Sequence, residues 1–247
     1  VALKNDGSLI AWGDNTSGQS TVPQDLSSVI AIAAGPSHTV ALRSDGTVAA
    51  WNAQAALAVP AGLGGVVAVS SGSGVGGAVK ADGAPALWTA SDGAAQTLPA
   101  GLAGVVKLSI GGGHRLALKS DGSVVAWGTP EAATAVPAGL TGVVDIAAGQ
   151  NHCLAVKADG TVVGWGASNA YGESRPPDGL GGVIAVAAGN LLSVALRADG
   201  TVVAWGYNGN GQSSVPGGLS DIVAIAARNN RVLALKANGT VVAWGAA

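Results

Sequence analysis

The sequence predicts an all-β protein, a seven-bladed β-propeller built from four-stranded repeats of about 39 residues. Seven approximate copies of one segment each close on a tryptophan, at intervals of 37 to 40 residues: Trp12, Trp51, Trp88, Trp127, Trp165, Trp205 and Trp244. Six copies place Asp-Gly between two β-rich segments and the seventh places Asn-Gly there, which is a strong hairpin signal. No segment has a helical period. Because one repeat is too small to bury a core alone, residues 1–247 are predicted to form a single domain.

Residues 183–216 show the four predicted strands of one repeat most clearly. Strand A, VIAVAAG (183–189), is apolar throughout, as expected of a strand buried on both faces. Strand B, SVALRADG (193–200), alternates in polarity and ends at an Asp-Gly turn, and strand C, TVVAWG (201–206), returns beside it. Strand D, SVP (214–216), ends in a proline, which suits an outer edge because proline donates no ladder hydrogen bond.

The number of strands predicts one incomplete blade. The B–C hairpin occurs seven times, whereas strand A occurs six times, because the sequence begins at a strand B and ends just after a strand C. The incomplete blade is expected at the seam where the ring closes. Flanking chain could supply the missing inner strand, or the first blade lacks it, and the sequence leaves both open.

Composition excludes several classes of partner. The net charge is -2 and only 11% of residues are charged, so no basic surface for nucleic acid is expected. Apolar segments stop after six or seven residues and no signal segment opens the sequence, which predicts a soluble monomer without membrane insertion, already mature or excised. Cys153 is the single cysteine, so no intrachain disulfide and no thiolate cluster can form, and we expect a buried, inert thiol. The lack of Phe and Met fits either a GC-rich bacterial gene or an engineered sequence.

The recurring polar and aromatic residues have structural explanations. A tryptophan at one fixed position of every repeat is typical of core between blades rather than of a sugar site. His38, His114 and His152 open strand B in three separate repeats, and we expect them to cap loops by hydrogen bonds rather than to bind a metal. The turn aspartates lack the series of carboxylates that holds calcium. Glu131 and Glu173 are the only glutamates and no catalytic triad pattern occurs, so no catalytic residue, metal, cofactor or enzyme activity is predicted.

The candidate binding surface lies at one end of the strands. Alternating strand directions place the A–B and C–D loops at one end and the Asp-Gly turns at the other. The turns are nearly uniform and the loops vary, which indicates that recognition uses the loops. Tyr and Arg most often anchor interfaces, and the candidates cluster in the fifth to seventh repeats: Tyr171, Glu173, Arg175, Leu191, Leu192, Tyr207, Asn208, Asn210, Arg228, Asn229 and Arg231. Solvated loops with incidental tyrosines remain the alternative.

Two stretches carry a family resemblance. AAGPSHTVALRSDGTVAAWN (33–52) and AAGQNHCLAVKADGTVVGWG (147–166) resemble the regulator of chromosome condensation repeat family. GQSTVP (18–23) and GQSSVP (211–216) resemble its bacterial members, the propeller-type beta-lactamase inhibitor proteins. The resemblance covers essentially the whole chain and implies a seven-bladed propeller, in agreement with the count of seven. It also implies an extracellular or cell-surface bacterial protein, with a cytoplasmic location left open.

Function is predicted less specifically than fold, because one fold carries unrelated activities. The first hypothesis is a non-catalytic protein-binding or scaffold propeller that uses the variable loop face, with another protein of unknown identity as its partner. A structural or engineered propeller without a dedicated ligand is the second, and a beta-lactamase-inhibitor-like protein is the third. Nucleotide exchange on a small GTPase, which the family resemblance also raises, is disfavoured because the uniform intervals leave no room for an inserted loop.

Overall fold

The computed structural model describes residues 1–52, 55–167 and 169–245, which form β-strands and one short helix. The prediction of an all-β protein is confirmed. The chain divides into two compact units, Val1–Ile110 (unit 1) and Gly111–Ala247 (unit 2), and each is described by itself. Within a unit, paired strands are antiparallel and follow the order of the sequence.

The described part of unit 1 contains ten strands. They are β1 (Ala2–Leu3), β2 (Leu9–Ile10), β3 (Val29–Ala34), β4 (Thr39–Arg43), β5 (Val48–Asn52), β6 (Ala55–Ala56), β7 (Val66–Gly72), β8 (Val75–Lys80), β9 (Pro85–Thr89) and β10 (Val105–Ile110). The first sheet has only two strands, β1 and β2, so the first repeat has no inner strand among the described residues. The sheets β3-β4-β5-β6 and β7-β8-β9 follow.

Unit 2 repeats the three-stranded arrangement. Its elements are β11 (His114–Lys119), β12 (Val124–Gly128), α1 (Glu131–Thr134), β13 (Val143–Ala148), β14 (His152–Lys157), β15 (Val162–Gly166), β16 (Val183–Ala188), β17 (Leu192–Arg197), β18 (Val202–Gly206), β19 (Ile222–Arg228), β20 (Arg231–Lys236) and β21 (Val241–Gly245). β11 pairs with β12, and β13-β14-β15, β16-β17-β18 and β19-β20-β21 form sheets. The four-residue helix α1 was not predicted, because one turn is too short to show a helical period.

The Asp-Gly pairs form the turns that the sequence predicts. In all seven hairpins the turn glycine has a φ between 75 and 85°, which residues with a Cβ rarely adopt. The side chain of the residue before this glycine also bonds the turn backbone. Asp159 Oδ1 accepts the backbone N–H of Thr161 at 3.0 Å, and Asn238 Oδ1 accepts that of Thr240 at 2.9 Å. The carboxylates therefore serve the turn, which explains why this end of each repeat is uniform.

Strand A differs from the prediction at its second residue. In five described pairs the register shifts there by one residue, as in β16, where Val183 pairs with Arg197 and Ala185 with Leu196. The skipped residue forms a β-bulge and points to solvent; Ile184 is 52% exposed. The interpretation of strand A as buried on both faces was wrong at this position, because an apolar run does not reveal where one residue leaves the ladder.

Strand D is largely absent, which corrects the four-stranded repeat. Among the described residues, only β6 pairs as a fourth strand and Trp88 bridges to Ala95. In the segment 211–216, Ser214 N–H donates within a turn to Gly211 O at 3.1 Å, and Ser213 N–H donates to the side chain of Asn208 at 3.0 Å. These local bonds take up backbone groups that a ladder would need.

The repeat tryptophans join successive repeats, as predicted. For three tryptophans of unit 2 the indole N–H donates to a carbonyl oxygen 32 residues earlier: Trp165 to Ala133 at 3.1 Å, Trp205 to Glu173 at 3.0 Å and Trp244 to Gln212 at 3.0 Å. Trp165 and Trp205 are also buried among apolar residues of two repeats. Trp12 differs from these tryptophans, because its side chain is 42% exposed. The indole thus pins the C–D loop of the preceding repeat to the core.

Candidate functional site

The candidate site is the loop end of unit 2. We define it by the described residues of five segments: 149–151, 167–175, 189–192, 207–213 and 228–231. It contains all eleven residues that the sequence analysis selected. Residues 53 and 54 of the C–D loop at 52–57, and Ser168 of the C–D loop at 167–175, lie outside the described residues.

The A–B loops of this end are joined by backbone hydrogen bonds from one repeat to the next. Gln150 N–H donates to Gly189 O at 3.1 Å, and Asn190 N–H donates to Asn229 O at 2.8 Å. A side chain at Gly189 would collide with the Asn229 carbonyl, so the absence of a Cβ permits this approach. The three loops therefore form one connected surface rather than independent tips.

Tyr171 and Tyr207 lie against each other at the C–D loops. Their ring centroids are 4.7 Å apart and the planes are inclined by 60°, a favourable arrangement for an aromatic pair. Tyr171 is 52% exposed. Tyr207 is half-buried, and its backbone N–H donates to Leu191 O at 2.8 Å. The structure thus places both predicted tyrosines and Leu191 in one patch, although the tyrosines occupy different repeat positions.

Glu173 supports this patch from the protein interior. Its side chain is fully buried, and Oε2 accepts the backbone N–H of Tyr171 at 3.0 Å. Its carbonyl oxygen accepts both the Trp205 indole N–H and the Ser193 hydroxyl, the latter at 2.7 Å. Gln19 and Gln212 occupy the same position in other repeats and accept an equivalent backbone N–H through Oε1. Glu173 therefore positions the tyrosine loop and is not a surface contact.

His152 extends this network into the preceding repeat. Its Nε2 lies 2.9 Å from Ser193 Oγ, and because Ser193 donates its proton to Glu173 O, Nε2 must carry the imidazole proton. Burial lowers the pKa of His152 to about 4, although the nearby charge of Glu173 opposes this change. His38 makes the matching contact with Ser71 Oγ at 2.8 Å. The structure thus gives hydrogen-bonding roles to two of the three histidines.

Asparagine side chains brace the C–D loops. Asn208 Nδ2 donates to Ser214 Oγ at 2.9 Å, and Oδ1 accepts Ser213 N–H. Asn169 accepts Ser174 N–H in the same way at 3.0 Å. The amide of Asn208 is thus engaged within its own loop, whereas Asn210 is exposed and contributes only its backbone N–H to Gln212. Of the two predicted asparagines, Asn210 is the more accessible to a partner.

Leu192 and Glu173 were wrongly assigned to the surface. Leu192 is fully buried because it opens β17, where the alternation of the strand turns its side chain into the core. It occupies the repeat position of His152, which is also buried. Leu191, one residue earlier, is half-buried beside Tyr207. Comparing equivalent positions in the repeats could have identified Leu192 as core.

The arginines give the loop end its charge. Arg228 and Arg231 face each other as cross-strand partners at the end of the β19–β20 hairpin, and Asn229 between them has a φ of 48°. Burial lowers the pKa of Arg228 to about 10, which leaves it cationic at neutral pH. Arg175 is exposed on the outer loop. Within the five segments, the charged side chains other than the buried Glu173 are Arg175, Arg228 and Arg231.

The sequence analysis missed a row of exposed amides. Gln150, Asn190 and Asn229 occupy the same position in three successive A–B loops, and all three are exposed. Their shared repeat position was the available signal.

No metal-binding arrangement occurs in residues 1–52, 55–167 and 169–245, where groups of three or more His, Cys, Asp and Glu side chains that could hold an ion are missing. Cys153 is buried, burial raises its thiol pKa, and Sγ donates to Ala133 O. In the same part of the chain, the helix present lacks the length to span a bilayer.

Comparison with known proteins gives a consistent fold. The profile of the Regulator of chromosome condensation (RCC1) repeat matches residues 29–51, 143–173 and 183–212. A search of curated proteins found no matching sequence. Among solved structures, Prp20p of Saccharomyces cerevisiae, reported with its binding properties to Gsp1p and histones, is 20% identical with a TM-score of 0.75, over 90% of this chain and 73% of Prp20p.

Two further structures resemble the chain. The ectodomain of the receptor kinase CR4 from Physcomitrella patens is 20% identical with a TM-score of 0.72, over 89% of this chain and 65% of that ectodomain. The computationally designed Ika8 protein is 23% identical with a TM-score of 0.59, over 89% of this chain and 71% of Ika8. At these identities the similarities establish the fold, a β-propeller of the seven-bladed RCC1 type.

Proposed function

We propose that this RCC1-like β-propeller is a non-catalytic protein-binding module and that its partner contacts the loop end of unit 2. The observation that carries the proposal is the Tyr171–Tyr207 pair. An aromatic pair with one exposed and one half-buried ring beside Leu191 offers apolar area with few rotatable bonds, which is typical of interface anchors. The buried network of Glu173, Ser193 and Trp205 holds the pair in place before a partner arrives, so binding would order few groups.

Among the described residues, the turn end carries no aromatic pair. Its aspartates bind their own turn backbone, and Lys157 pairs with Asp159 at 3.1 Å. Prp20p, which shares the fold, was studied for its binding to Gsp1p and histones, and this supports protein binding as the class of function without identifying a partner.

The competing hypothesis is a structural propeller without a dedicated ligand. The near-uniform repeats and the similarity to the designed Ika8 protein favour it. It gives the tyrosine pair no binding role, so it predicts that removing both rings changes no interaction.

Affinity capture with matched variants separates the two hypotheses. The parent protein, Tyr171→Ala/Tyr207→Ala and the turn-end control Ser120→Lys are used as baits, with thermal unfolding measured for each. We expect a partner that the parent and the control retain and that the tyrosine variant binds more weakly by about 2 kcal/mol or more. Equal recovery with all three baits, or loss only with Ser120→Lys, would contradict the proposal.

A further inference from the structure

We propose that Asn210 is a site of spontaneous deamidation on the loop end of unit 2, and that the neighbouring Asn208 is protected from the same reaction by its own hydrogen bonds. The sequence contains three Asn-Gly pairs, at residues 208–209, 210–211 and 238–239. An asparagine followed by glycine is prone to this reaction, because glycine has no Cβ to hinder its backbone nitrogen. The reaction needs neither a cofactor nor a partner, so it is independent of the proposed function.

Deamidation consumes water and releases ammonia. The backbone nitrogen of Gly211 attacks Cγ of Asn210 and loses its proton as the new C–N bond forms. The Cγ–Nδ2 bond then breaks, ammonia leaves, and a cyclic succinimide remains. Water opens this ring at either carbonyl and gives aspartate or isoaspartate, each of which is ionised at neutral pH. Nothing is oxidised or reduced.

The side chains of the two asparagines differ in their hydrogen bonds. Asn208 Nδ2 donates to Ser214 Oγ at 2.9 Å, and Asn208 Oδ1 accepts the backbone N–H of Ser213 at 3.0 Å. Asn210 is exposed, and its carboxamide makes no hydrogen bond to the described residues. Its backbone N–H donates to Gln212 Oε1 at 2.9 Å. The Asn210 side chain can therefore rotate toward the next backbone nitrogen, whereas that of Asn208 is held.

The glycines that follow the two asparagines also have different surroundings. A Cβ at Gly209 would collide with the phenol of Tyr207, so this ring covers the backbone there. A Cβ at Gly211 would meet no heavy atom of the described residues within 4 Å apart from its chain neighbours. The Gly211 N–H donates to Asn208 O at 3.0 Å, so attack requires a transient opening of this exposed turn. Asn210 should therefore react more slowly in the folded protein than in the unfolded chain, but faster than Asn208.

The third pair, Asn238-Gly239, is held by its hairpin. It is exposed, and the space around Gly239 is open, as at Gly211. However, Asn238 Oδ1 accepts the backbone N–H of Thr240 at 2.9 Å, and the turn joins the paired strands β20 and β21. The strand pairing resists opening of the turn. We therefore expect Asn238 to react more slowly than Asn210.

Deamidation at Asn210 would reach the support of the last repeat through Gln212. The Gln212 side chain is fully buried, Oε1 accepts the Asn210 N–H, and its carbonyl oxygen accepts the Trp244 indole N–H at 3.0 Å. Isoaspartate inserts a methylene into the main chain between residues 210 and 211 and so displaces these groups relative to each other. Aspartate leaves the main chain unchanged. The isoaspartate product should therefore unfold at a lower temperature than the parent, and the aspartate product should not.

The test follows all three asparagines in the folded and the urea-unfolded protein during incubation at mildly alkaline pH. Digestion with pepsin at acidic pH slows further reaction, fragment mass spectra assign each change from amide to acid, and isoaspartyl methyltransferase labels the isoaspartate. In the folded protein we expect Asn210 to react first and at least about tenfold faster than Asn208, the ratio for a difference of about 1.4 kcal/mol in the cost of opening. In the unfolded protein the three should react at similar rates.

Matched variants identify the cause of the difference. Ser214→Ala removes the acceptor of Asn208 Nδ2 and should speed the reaction at Asn208 without changing that at Asn238. Asn210→Gln keeps the carboxamide but lengthens the side chain, and should abolish the reaction at this position. Asn210→Asp supplies the aspartate product for the comparison of thermal unfolding.

Three results would each overturn the proposal: equal rates at Asn208 and Asn210 in the folded protein, Asn238 reacting before Asn210, or an unmodified Asn210 after the unfolded chain has reacted. An unchanged rate at Asn208 in Ser214→Ala would overturn the protective role of its hydrogen bonds.

Discussion

The first hairpin and the sheet β13-β14-β15 come from two copies of the same repeat unit but have different surroundings. The first hairpin pairs only Ala2 with Ile10 and Leu3 with Leu9, and Trp12 beside it is largely exposed. In the complete sheet, Trp165 is buried and bonded to the preceding repeat, and His152 contacts the following one. The difference shows that contacts between repeats, rather than the hairpin itself, supply most of the stability of a repeat.

Hydrogen exchange gives the largest expected difference between these regions. Residues 1–12 have two short strands and little burial, so their amides should exchange through local opening that costs almost no free energy. Amides of residues 143–148 should require nearly global unfolding, which costs about 5 kcal/mol or more. Exchange measured by mass spectrometry would contradict the comparison if residues 1–12 were as protected as β13.

Truncating the repeat tryptophan should have the next largest effect. Trp165→Ala removes a buried ring and its hydrogen bond to Ala133 and should destabilise the protein by about 3 to 5 kcal/mol. Trp12→Ala is the matched control and should cost less than about 1 kcal/mol because that ring is exposed. Urea denaturation measures both. If both variants lost the same free energy of unfolding, the position of the tryptophan within the repeat, and not its burial, would determine the loss.

The sequence predicted the strands and turns more accurately than the pairing and exposure of individual residues. Asp-Gly at positions 159 and 160 was sufficient for a hairpin, because the turn depends on two residues and local hydrogen bonds. Strand D failed at residues 214–216 because the backbone N–H of Ser214 donates to Gly211 O and that of Ser213 donates to the side chain of Asn208, local contacts that the strand pattern does not reveal. The exposure of Ile184 depends on a bulge that apolar residues do not mark.

The candidate site was predicted in outline only. Tyr171 and Tyr207 were selected as residue types that anchor interfaces, but their contact depends on two loops of different length and could not be derived from the period. Leu192 was placed on the surface because its segment was interpreted as loop, although β17 begins there. The network of Glu173 and His152 joins residues of separate repeats, and only the structure shows it.

The burial of His152 should make stability depend on pH. Its pKa is about 4 in the folded protein and near 6.5 when unfolded, so the unfolded state binds more protons between these values. The contribution of neutral His152 is complete above about pH 6.5 and is lost as the pH falls toward 4, up to about 3 kcal/mol.

Urea denaturation of the parent and of His152→Gln at pH 7 and pH 5 isolates this contribution. Gln retains a donor for Ser193 but has no imidazole to protonate, so its stability should fall less between the two pH values. His114, whose pKa burial also lowers, remains in both proteins and cancels in the difference. Equal pH dependence of parent and variant would show that His152 does not contribute.

The smallest expected change in the free energy of unfolding is at Glu173, which supports the candidate binding surface. Its buried Oε1 has no hydrogen-bond partner among the described residues, and a buried carboxylate loses hydration that one hydrogen bond does not replace. Glu173→Gln keeps an oxygen acceptor for Tyr171 N–H and removes the charge, as in the repeat that carries Gln212. We expect stabilisation by about 1 to 2 kcal/mol at pH 7.

Gln212→Glu is the reverse change in the equivalent position and should destabilise by a similar amount, because Gln212 is equally buried. The pKa of His152 should fall further in Glu173→Gln, since the carboxylate that raises it is gone. The tyrosine pair should keep its geometry, so binding of a captured partner should be unchanged. A less stable Glu173→Gln protein would mean that the negative charge itself holds the loop. A protein of unchanged stability that binds the captured partner differently would mean that Glu173 contributes to the binding surface and not only to its support.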